Sequence, residues 1–424
     1  NFTLSENDTG GDRFTSETFN TNVTCNIKAQ EPIVYGLKAK VEGDLVVQAQ
    51  TSVITGTSTG TVDGGFAPVI YQGNAFSGGS GNKSVTGVGF SPSLVWIKAR
   101  EADKPNMLFD TIRGAGNVIK SNLTEAETNG TNLLTSFDSD GFSVGNDSAV
   151  NDKKMVAWCW DAGDTTVTNN DGTIESTVRS NGNFSIVKYT GGTDGAVDVC
   201  SMGHGLSSAP SLIIVKSLDI AKGWAVYHKS VGAGSYLSLD ESSAAKIADV
   251  VWDDKEPDDT VFYAGTSALT GSNLYNYIAY CWAESPTQSF GSYTGNNTSQ
   301  FVECGFAPAF VMLKAVDDNG GWYMFDTQRG ENILEANSAG AEYASSGCVL
   351  GATGFTISGS GTDINAQSRQ YIYATFAGGT TVTGINEAAN QMTVDSGSFT
   401  TGESVTGPTF PPATGTILST GTRI

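Results

Sequence analysis

Features that mark membrane proteins and metal or disulfide frameworks are scarce in this sequence. No apolar run approaches the roughly 18 residues that a membrane-spanning helix needs. No secretion signal is recognisable, and the six cysteines show no CxxC spacing. We therefore expect no membrane insertion and no cysteine-based framework. The chain starts at Asn1 rather than at Met, so processing or a late start of the ordered part both stay open.

Basic residues and histidines are also scarce. The chain has 23 Lys and Arg against 44 Asp and Glu, which gives a net charge of −21 at pH 7. Such a surface repels phosphates and anionic membranes, so we predict no nucleic-acid partner. The two histidines, His204 and His228, lie in no HExxH motif and beside no nucleophile motif. We expect both to be turn or surface residues and the protein not to be an enzyme.

What the sequence does contain is one phrase written three times: a glycine-led turn, a proline and an apolar run that ends on lysine. Proline cannot donate to a central ladder, so it is expected at the start of the strand. The apolar run behind it is typical of a strand buried on both faces. The copies are GFSPSLVWIKA (Gly89 to Ala99), GLSSAPSLIIVKS (Gly205 to Ser217) and GFAPAFVMLKA (Gly305 to Ala315).

The flanks of the phrase repeat in the same order. A Tyr-led turn precedes each copy, a Trp- or Phe-bearing strand follows it, and each unit closes on an apolar strand such as VAWCW. Short helical turns are expected between them, at 122–127, 239–245 and 335–339. The period of roughly 100–120 residues is that of small domains rather than of solenoid rungs.

The predicted fold is all-β, with three tandem β-sandwich-like repeats, an N-terminal β arm and a small C-terminal β module. The 52 glycines between short apolar runs agree with many strands joined by tight turns. A polar linker with a hairpin-turn candidate is predicted at 164–181. The predicted boundaries are 1–66 for the arm and its anchoring β element, 67–185, 186–288 and 289–380 for the repeats, and 381–424 for the C-terminal module.

The cysteines fit this repeat. Cys159 and Cys281 occupy the same position in the closing strands of two copies, where the third copy has Thr375. A ligand set would not tolerate this exchange, so we predict buried free thiols. A pair between Cys200 and Cys304 stays open, because spacing says nothing of their distance.

Copy one resembles a known family on four motifs: GFSPSLVWIKAR, LFDTIRGAG, SFDSDGFSVGND and VAWCWDAG, which lie between Gly89 and Gly163. The resemblance is to an uncharacterised repeat domain of tail-fibre-like structural proteins of marine tailed bacteriophages of the cyanophage type. It covers Tyr71 to Gly379. The second copy departs from it by lacking FD-x-x-RG, and the third by lacking the WCW ending.

The resemblance implies a virion surface protein, all-β and lectin-like, assembled in the host cytoplasm. It implies no catalytic residues. Trimeric association is what such fibres suggest, although the sequence has no coiled-coil heptads. The N-terminal arm is expected to bind other virion proteins, and a host-surface glycan or protein is the expected distal partner.

The sequence offers separate candidates for a metal site and for a sugar site. We expect no cofactor, and calcium at the acidic loops 138–147 and 253–259 is the alternative to simple solvated loops. A glycan site would need exposed aromatic rings beside polar loop residues. Trp252 in an acidic loop, and Trp322 beside Asn319, are the candidates.

The function predicted from the sequence is a non-enzymatic tail or head fibre that attaches to the host surface. Two alternatives stay open: a capsid decoration protein that cements the lattice, and a polysaccharide-degrading tailspike. Carboxylate pairs are too plentiful here to favour glycosidase chemistry.

Overall fold

Short runs of β-branched and aromatic residues become antiparallel strands throughout the part of the chain that the structure describes. This computed structural model describes residues 65–75, 81–192, 199–344, 347–358 and 363–378, with the backbone of short strands at 2–4, 18–19, 39–41, 61–62, 380–386, 391–394, 404–406 and 414–416. The predicted all-β fold is confirmed. Among the described residues, no helix has the length and apolar character needed to cross a membrane.

Residues 1–56 form one of two compact units. Its described backbone is an antiparallel sheet in which the first strand lies in the middle and pairs with the other two. Its strands are β1 (Phe2–Leu4), β2 (Thr18–Phe19) and β3 (Ala39–Val41). Cys25 and most of the predicted N-terminal arm lie outside the described residues.

Residues 57–424 form the other unit. It begins with β4 (Thr61–Val62) and continues into a part that we call lobe 1 (residues 65–163). The strands of lobe 1 are β5 (Phe66–Gln72), β6 (Lys83–Thr86), β7 (Leu94–Ala99), β8 (Met107–Asp110), β9 (Asn117–Lys120), β10 (Thr128–Asn129), β11 (Leu134–Asp138), β12 (Gly141–Val144) and β13 (Lys154–Trp160). They form a main sheet, ordered β10-β9-β8-β7-β13-β5, and a small sheet, ordered β11-β12-β6.

Lobe 2 (residues 164–284) contains the one helix of the described residues, α1 (Asp249–Trp252). Its strands are β14 (Thr166–Asn169), β15 (Ser176–Ser180), β16 (Phe184–Thr190), β17 (Cys200–Gly203), β18 (Pro210–Ser217), β19 (Ala225–His228), β20 (Ser235–Tyr236), β21 (Lys246–Ile247), β22 (Val261–Ala264) and β23 (Asn276–Ala283). The main sheet is ordered β14-β15-β16-β23-β18-β19, and the pairs β17-β22 and β20-β21 lie outside it.

Lobe 3 (residues 285–378) has a main sheet and a three-stranded small sheet. Its strands are β24 (Gln288–Thr294), β25 (Gln300–Glu303), β26 (Pro308–Ala315), β27 (Trp322–Asp326), β28 (Gly330–Glu335), β29 (Cys348–Leu350), β30 (Gly354–Ile357) and β31 (Gln370–Ala377). The sheets are ordered β24-β31-β26-β27-β28 and β25-β30-β29.

Four strands are described after lobe 3, in or at the start of the segment predicted as the C-terminal module. They are β32 (Thr380–Asn386), β33 (Gln391–Val394), β34 (Ser404–Thr406) and β35 (Thr414–Thr416). The strand β32 pairs with both β33 and β4, and β34 pairs with β35.

The three apolar phrases occupy corresponding central strands of the three main sheets. Each of β7, β18 and β26 lies between the closing strand of its lobe and the aromatic strand that follows the phrase. Pro210 and Pro308 are the first residues of their strands, and Pro92 stands two residues before β7, as the ladder argument predicts.

Alternate residues of each of these strands face two different hydrophobic cores. In β7, Val95 and Ile97 face a core shared with the small sheet of lobe 1, whereas Leu94 and Trp96 face a central core that contains residues of all three lobes. The strands β18 and β26 alternate in the same way. The central strands of each main sheet are thus buried on both sides, which explains why the phrases are apolar throughout.

The centre of the shared core is a triangle of aromatic rings, one from the closing strand of each lobe. The ring centroids of Trp160 and Trp282 are 5.9 Å apart, those of Trp282 and Phe376 are 6.0 Å apart, and those of Trp160 and Phe376 are 5.5 Å apart. Because each ring contacts both others, removal of one leaves the other two partly without partners.

The predicted linker and the three predicted helical turns differ from the structure. The polar linker predicted at 164–181 forms the β14–β15 hairpin of the second main sheet, and the predicted boundary after residue 185 falls inside β16. The segments 122–127, 239–245 and 335–339, expected to contain short helical turns, form no helix: one hydrogen-bonded turn closes at 120–123, 238–241 and 335–338, and the rest is irregular or strand. Their carbonyls are instead bonded to neighbouring lobes, as described below.

The cysteine prediction is confirmed for the described residues. Cys159 and Cys281 are free and fully buried, and Thr375 lies at the corresponding position of β31, where its hydroxyl donates to Ser289 O over 3.0 Å. Cys200 and Cys304 are also free, so the pair that spacing left open is not formed.

We expect Trp282→Ala to lower the free energy of unfolding by about 3–5 kcal/mol, since it deletes a buried indole between two others. Because the core is shared, the whole unfolding transition should move rather than that of lobe 2 alone. Chemical denaturation followed by tryptophan fluorescence and circular dichroism measures this. Val167→Ala, at a half-exposed position of β14, is the control and should shift stability by less than about 0.5 kcal/mol. A separate early transition in Trp282→Ala would contradict the shared core.

Candidate functional site

Trp252, the first predicted sugar-binding aromatic, is buried. It ends helix α1 and is 2% exposed, in the core of lobe 2, where its ring meets Tyr227 edge-on at a centroid distance of 6.1 Å. The sequence places it among acidic residues, but the helix turns its indole away from them. Neither face of the ring is available to a sugar, which corrects the expectation of an exposed platform.

Trp322 is buried as well. It is 1% exposed in the central core, and its indole Nε1 donates to Ser238 O of lobe 2 over 2.8 Å. Asn319 lies in an exposed loop, where its backbone N–H donates to the carboxylate of Asp318. The three predicted residues therefore form no common surface, and Trp322 belongs to the contact between two lobes.

The carboxylates proposed as calcium ligands already accept protein donors. Asp140 accepts the backbone N–H groups of Gly87 and Gly89 at 3.1 and 2.7 Å. Asp258 accepts those of Thr260 and Val261 at 2.9 and 2.8 Å. Among the described residues, no group of three His, Cys, Asp or Glu side chains is arranged to hold a metal ion. These loops use acidic residues to close turns.

The histidines are not the turn or surface residues that the sequence indicated, because both are buried. His228 ends β19 at the junction of lobes 2 and 3, where its Nε2 lies 3.2 Å from Tyr373 O and its Nδ1 accepts the Ser230 N–H. The pKa of His228 is lowered to about 4, chiefly by burial and in smaller part by the neighbouring Lys229, while the bond to Tyr373 opposes the shift. The ring is therefore neutral at pH 7 with its proton on Nε2.

The lysines that end the repeated phrase mark the three junctions, which we call seam 1/2, seam 2/3 and seam 3/1 after the lobes they join. Each ammonium is buried and donates to one carbonyl of its own lobe and to one of the preceding lobe around the ring. The bonds are Lys98 to Lys104 O (2.9 Å) and Ala339 O (2.7 Å), Lys216 to Lys222 O (2.7 Å) and Thr124 O (3.2 Å), and Lys314 to Ala315 O (2.9 Å) and Ser242 O (3.2 Å).

Burial lowers the pKa of Lys98, Lys216 and Lys314 to about 8. Because that value still lies above neutral pH, each seam contains a charged donor on neutral acceptors under ordinary conditions. Charge-assisted bonds of this kind are stronger than neutral ones, and an unmatched carbonyl at a dry seam would be costly. Each repeated lysine thus links two neighbouring lobes through hydrogen bonds.

The acceptors lie on one segment of each lobe, which we call the seam segments: 120–127, 238–245 and 335–342. One main-chain bond recurs in all three. The N–H of Glu127, Ala245 or Glu342 donates to the carbonyl of the residue two positions after the lysine, which is Leu218, Val316 or Arg100, over 2.9, 2.8 and 2.8 Å. These bonds explain why the segments are not helical.

A buried polar pair links the central strands across the seams. Asp110 binds Arg113 of its own lobe at 2.5 Å and accepts the hydroxyl of Tyr280 from lobe 2 at 2.8 Å. Asp326 binds Arg329 at 2.6 Å and accepts the indole N–H of Trp158 from lobe 1 at 3.0 Å. The position in lobe 2 that corresponds to the two aspartates is held by His228.

The outer faces of the small sheets differ among the lobes. In lobe 3, Phe301 and Val349 flank Thr356 across neighbouring strands and are 52% and 43% exposed. Gly354 leaves room for the ring, because a Cβ there would lie 3.0 Å from Phe301 Cζ. The corresponding row of lobe 1 consists of three serines: Ser84, Ser143 and Ser136.

Phe301 is an exposed aromatic residue that sequence reasoning missed. A signal existed, since Val302 is apolar and the strand alternates, so that Phe301 and Glu303 share the other face. The side chain of Glu303 accepts the Thr353 hydroxyl at 3.0 Å beside this row. An aromatic ring next to a carboxylate and a hydroxyl can pack against the C–H face of a sugar and accept its hydroxyl protons.

We expect EDTA to leave the melting temperature unchanged, because Asp140 and Asp258 of the two acidic loops already accept backbone N–H groups. A thermal melt with and without the chelator measures this. A drop that added Ca²⁺ reverses would show a structural calcium ion instead.

Acidification should weaken the fold through His228. Its folded pKa of about 4 lies below the ordinary value of 6.5, so the unfolded chain takes up a proton first and stability falls between pH 6.5 and pH 4. The loss should approach about 3 kcal/mol. Urea titrations across this range measure it, and His228→Gln should show a shallower fall than the wild type. Parallel curves for the two proteins would contradict this role.

No curated protein and no solved structure matches the chain. Residues 63–379, a range that contains all three lobes, match a family model described as a domain of unknown function. The chain therefore belongs to the family Domain of unknown function (DUF7483).

Proposed function

We propose that this chain is a non-enzymatic surface protein of a tailed-phage virion, a tail or head fibre that attaches to the host surface. The observation that carries the proposal is the outer face of lobe 3, where Phe301, Thr356 and Val349 form an exposed row on a rigid sheet. The four motifs of the first lobe that resemble fibre-like phage proteins support it.

The row is suited to attachment because packed sheets support it. Main sheets buried on both faces and three seams with charge-assisted bonds hold the lobes together. A small apolar patch on a rigid scaffold binds with little loss of conformational entropy. The serine row of lobe 1 at the same place shows that the sheet itself does not require apolar residues there.

The chemistry of the row favours a neutral host glycan as the partner. The chain carries a net charge of −21, which repels acidic polysaccharides. The Phe301 ring offers a stacking surface, and Glu303 and Thr353 offer acceptors at its edge. Weak contacts of this kind become effective when several copies bind at once.

Association and anchoring complete the proposal. The N-terminal arm (residues 1–66) binds other virion proteins, and three chains form the fibre, as the resemblance implies. The lobes close their own ring within one chain, so trimer contacts would use surfaces outside the central core.

Gold-labelled antibody on intact particles tests the location. Label on tails or on projecting filaments supports the fibre. Label spread evenly over the head would favour a decoration protein, and particles without label would overturn a virion role altogether.

Substitutions in the row should weaken attachment. We expect the isolated wild-type protein to block phage adsorption and the double variant Phe301→Ala, Val349→Ser to lose about ten-fold or more in this competition. Val167→Ser, equally exposed in lobe 2, is the matched control and should compete as well as the wild type. Undiminished competition by a correctly folded double variant would exclude the row as the contact site.

A further inference from the structure

We propose that the ring of lobes has one built-in opening point, seam 3/1, and that the ion pair between Arg100 and Glu342 is the clasp that keeps it closed. The three seams share the lysine and main-chain bonds described above. At two corresponding positions seam 3/1 has a polar residue where both other seams have an apolar one.

The first position is the residue two places after the buried lysine. In seams 1/2 and 2/3 it is Leu218 and Val316, which pack with the central core. In seam 3/1 it is Arg100, whose Nε and Nη2 donate to the two carboxylate oxygens of Glu342 over 2.9 and 2.7 Å. Both side chains of this pair are 14% exposed, so solvent and ions reach them.

The second position is the residue that each lobe inserts into its neighbour's seam segment. Lobes 2 and 3 insert Trp224 and Trp322, which are almost fully buried. Lobe 1 inserts Asn106, whose amide donates to Glu335 O, Ala336 O and Ser338 O over 3.2, 3.4 and 2.9 Å. Seam 3/1 thereby replaces a large apolar contact by hydrogen bonds.

The remaining contacts of the clasp are also polar. Glu342 lies 3.5 Å from Arg329 Nη1 and 3.4 Å from Asn332 Nδ2 of its own lobe. Asp103 accepts the N–H of Ala341 from the other side of the seam at 3.0 Å. Ser121 donates to Ala336 O over 2.6 Å.

These differences matter because apolar burial and ion pairs respond differently to conditions. Added NaCl does not weaken the burial of aromatic area, whereas it weakens a partly exposed ion pair. Interfaces that open and close are more polar than permanent ones. Seam 3/1 also joins the two lobes that are not consecutive along the chain, whereas β23 leads directly into β24 at seam 2/3. Opening there is confined to the outer part of the seam, because the rings of Phe66, Trp158 and Trp160 in lobe 1 stay packed on Phe310 and Phe376 of lobe 3.

Hydrogen exchange of the full chain tests this, because the three seams contain equivalent amides. Peptides that include Glu127, Ala245 and Glu342 report seams 1/2, 2/3 and 3/1. We expect the Glu342 peptide to exchange about five- to ten-fold faster than the other two, and to speed up further at high NaCl while they do not.

Two variants and one control sharpen the test. Glu342→Gln should accelerate exchange of its own peptide and abolish the salt response, and Arg100→Met should do the same while leaving the contacts of Glu342 within lobe 3. Glu241→Gln removes an ion pair with Lys246 that lies within lobe 2 on the equivalent segment, and it should leave seam 3/1 unchanged. Equal exchange of the three peptides in the wild type, or an equal salt response at all seams, would overturn the proposal.

Discussion

The rest of this structure depends on the burial of the central strands of three main β-sheets on both faces. One face packs against a small sheet or hairpin of the same lobe, and the other packs against the main sheets of the other lobes. A central strand of such a sheet has no solvent side, so its sequence cannot alternate between apolar and polar residues. It can alternate only between two cores, which is what Leu94, Val95, Trp96 and Ile97 do. The aromatic triangle at the centre belongs to no single lobe.

Where the three lobes pack together, buried backbone carbonyls need hydrogen-bond donors, and the repeated lysines supply them. The seam segments are irregular, and their carbonyls would be left without donors once the lobes close over them. Lys98, Lys216 and Lys314 supply charged donors at the same place in each lobe, and the buried aspartates and His228 complete a second layer. Because each lobe donates to one neighbour and accepts from the other, the pattern closes on itself.

The same frame explains where variation is tolerated. Residues that fasten the lobes recur with little change, whereas the outer row of the small sheet runs from three serines in lobe 1 to Phe301 and Val349 in lobe 3. Seam 3/1 departs from its counterparts through Arg100 and Asn106, without altering the shared main-chain bond. Differences among otherwise equivalent parts of one chain are therefore the best guide to what this protein does with its surface and its motions.

The local pattern of residues was sufficient for the all-β fold, the strand starts at Pro210 and Pro308, and the buried free thiols Cys159 and Cys281, because all of these depend on short-range geometry. It also indicated the lysines' place in the strand but not their partners, which are supplied by other lobes. Tertiary packing decided that Trp252, Trp322 and His228 are buried. It also decided that the seam segments are irregular. An acidic or glycine-rich neighbourhood in sequence says nothing of the distant sheet that covers a side chain, and only the closed ring of lobes determines which faces remain for a partner.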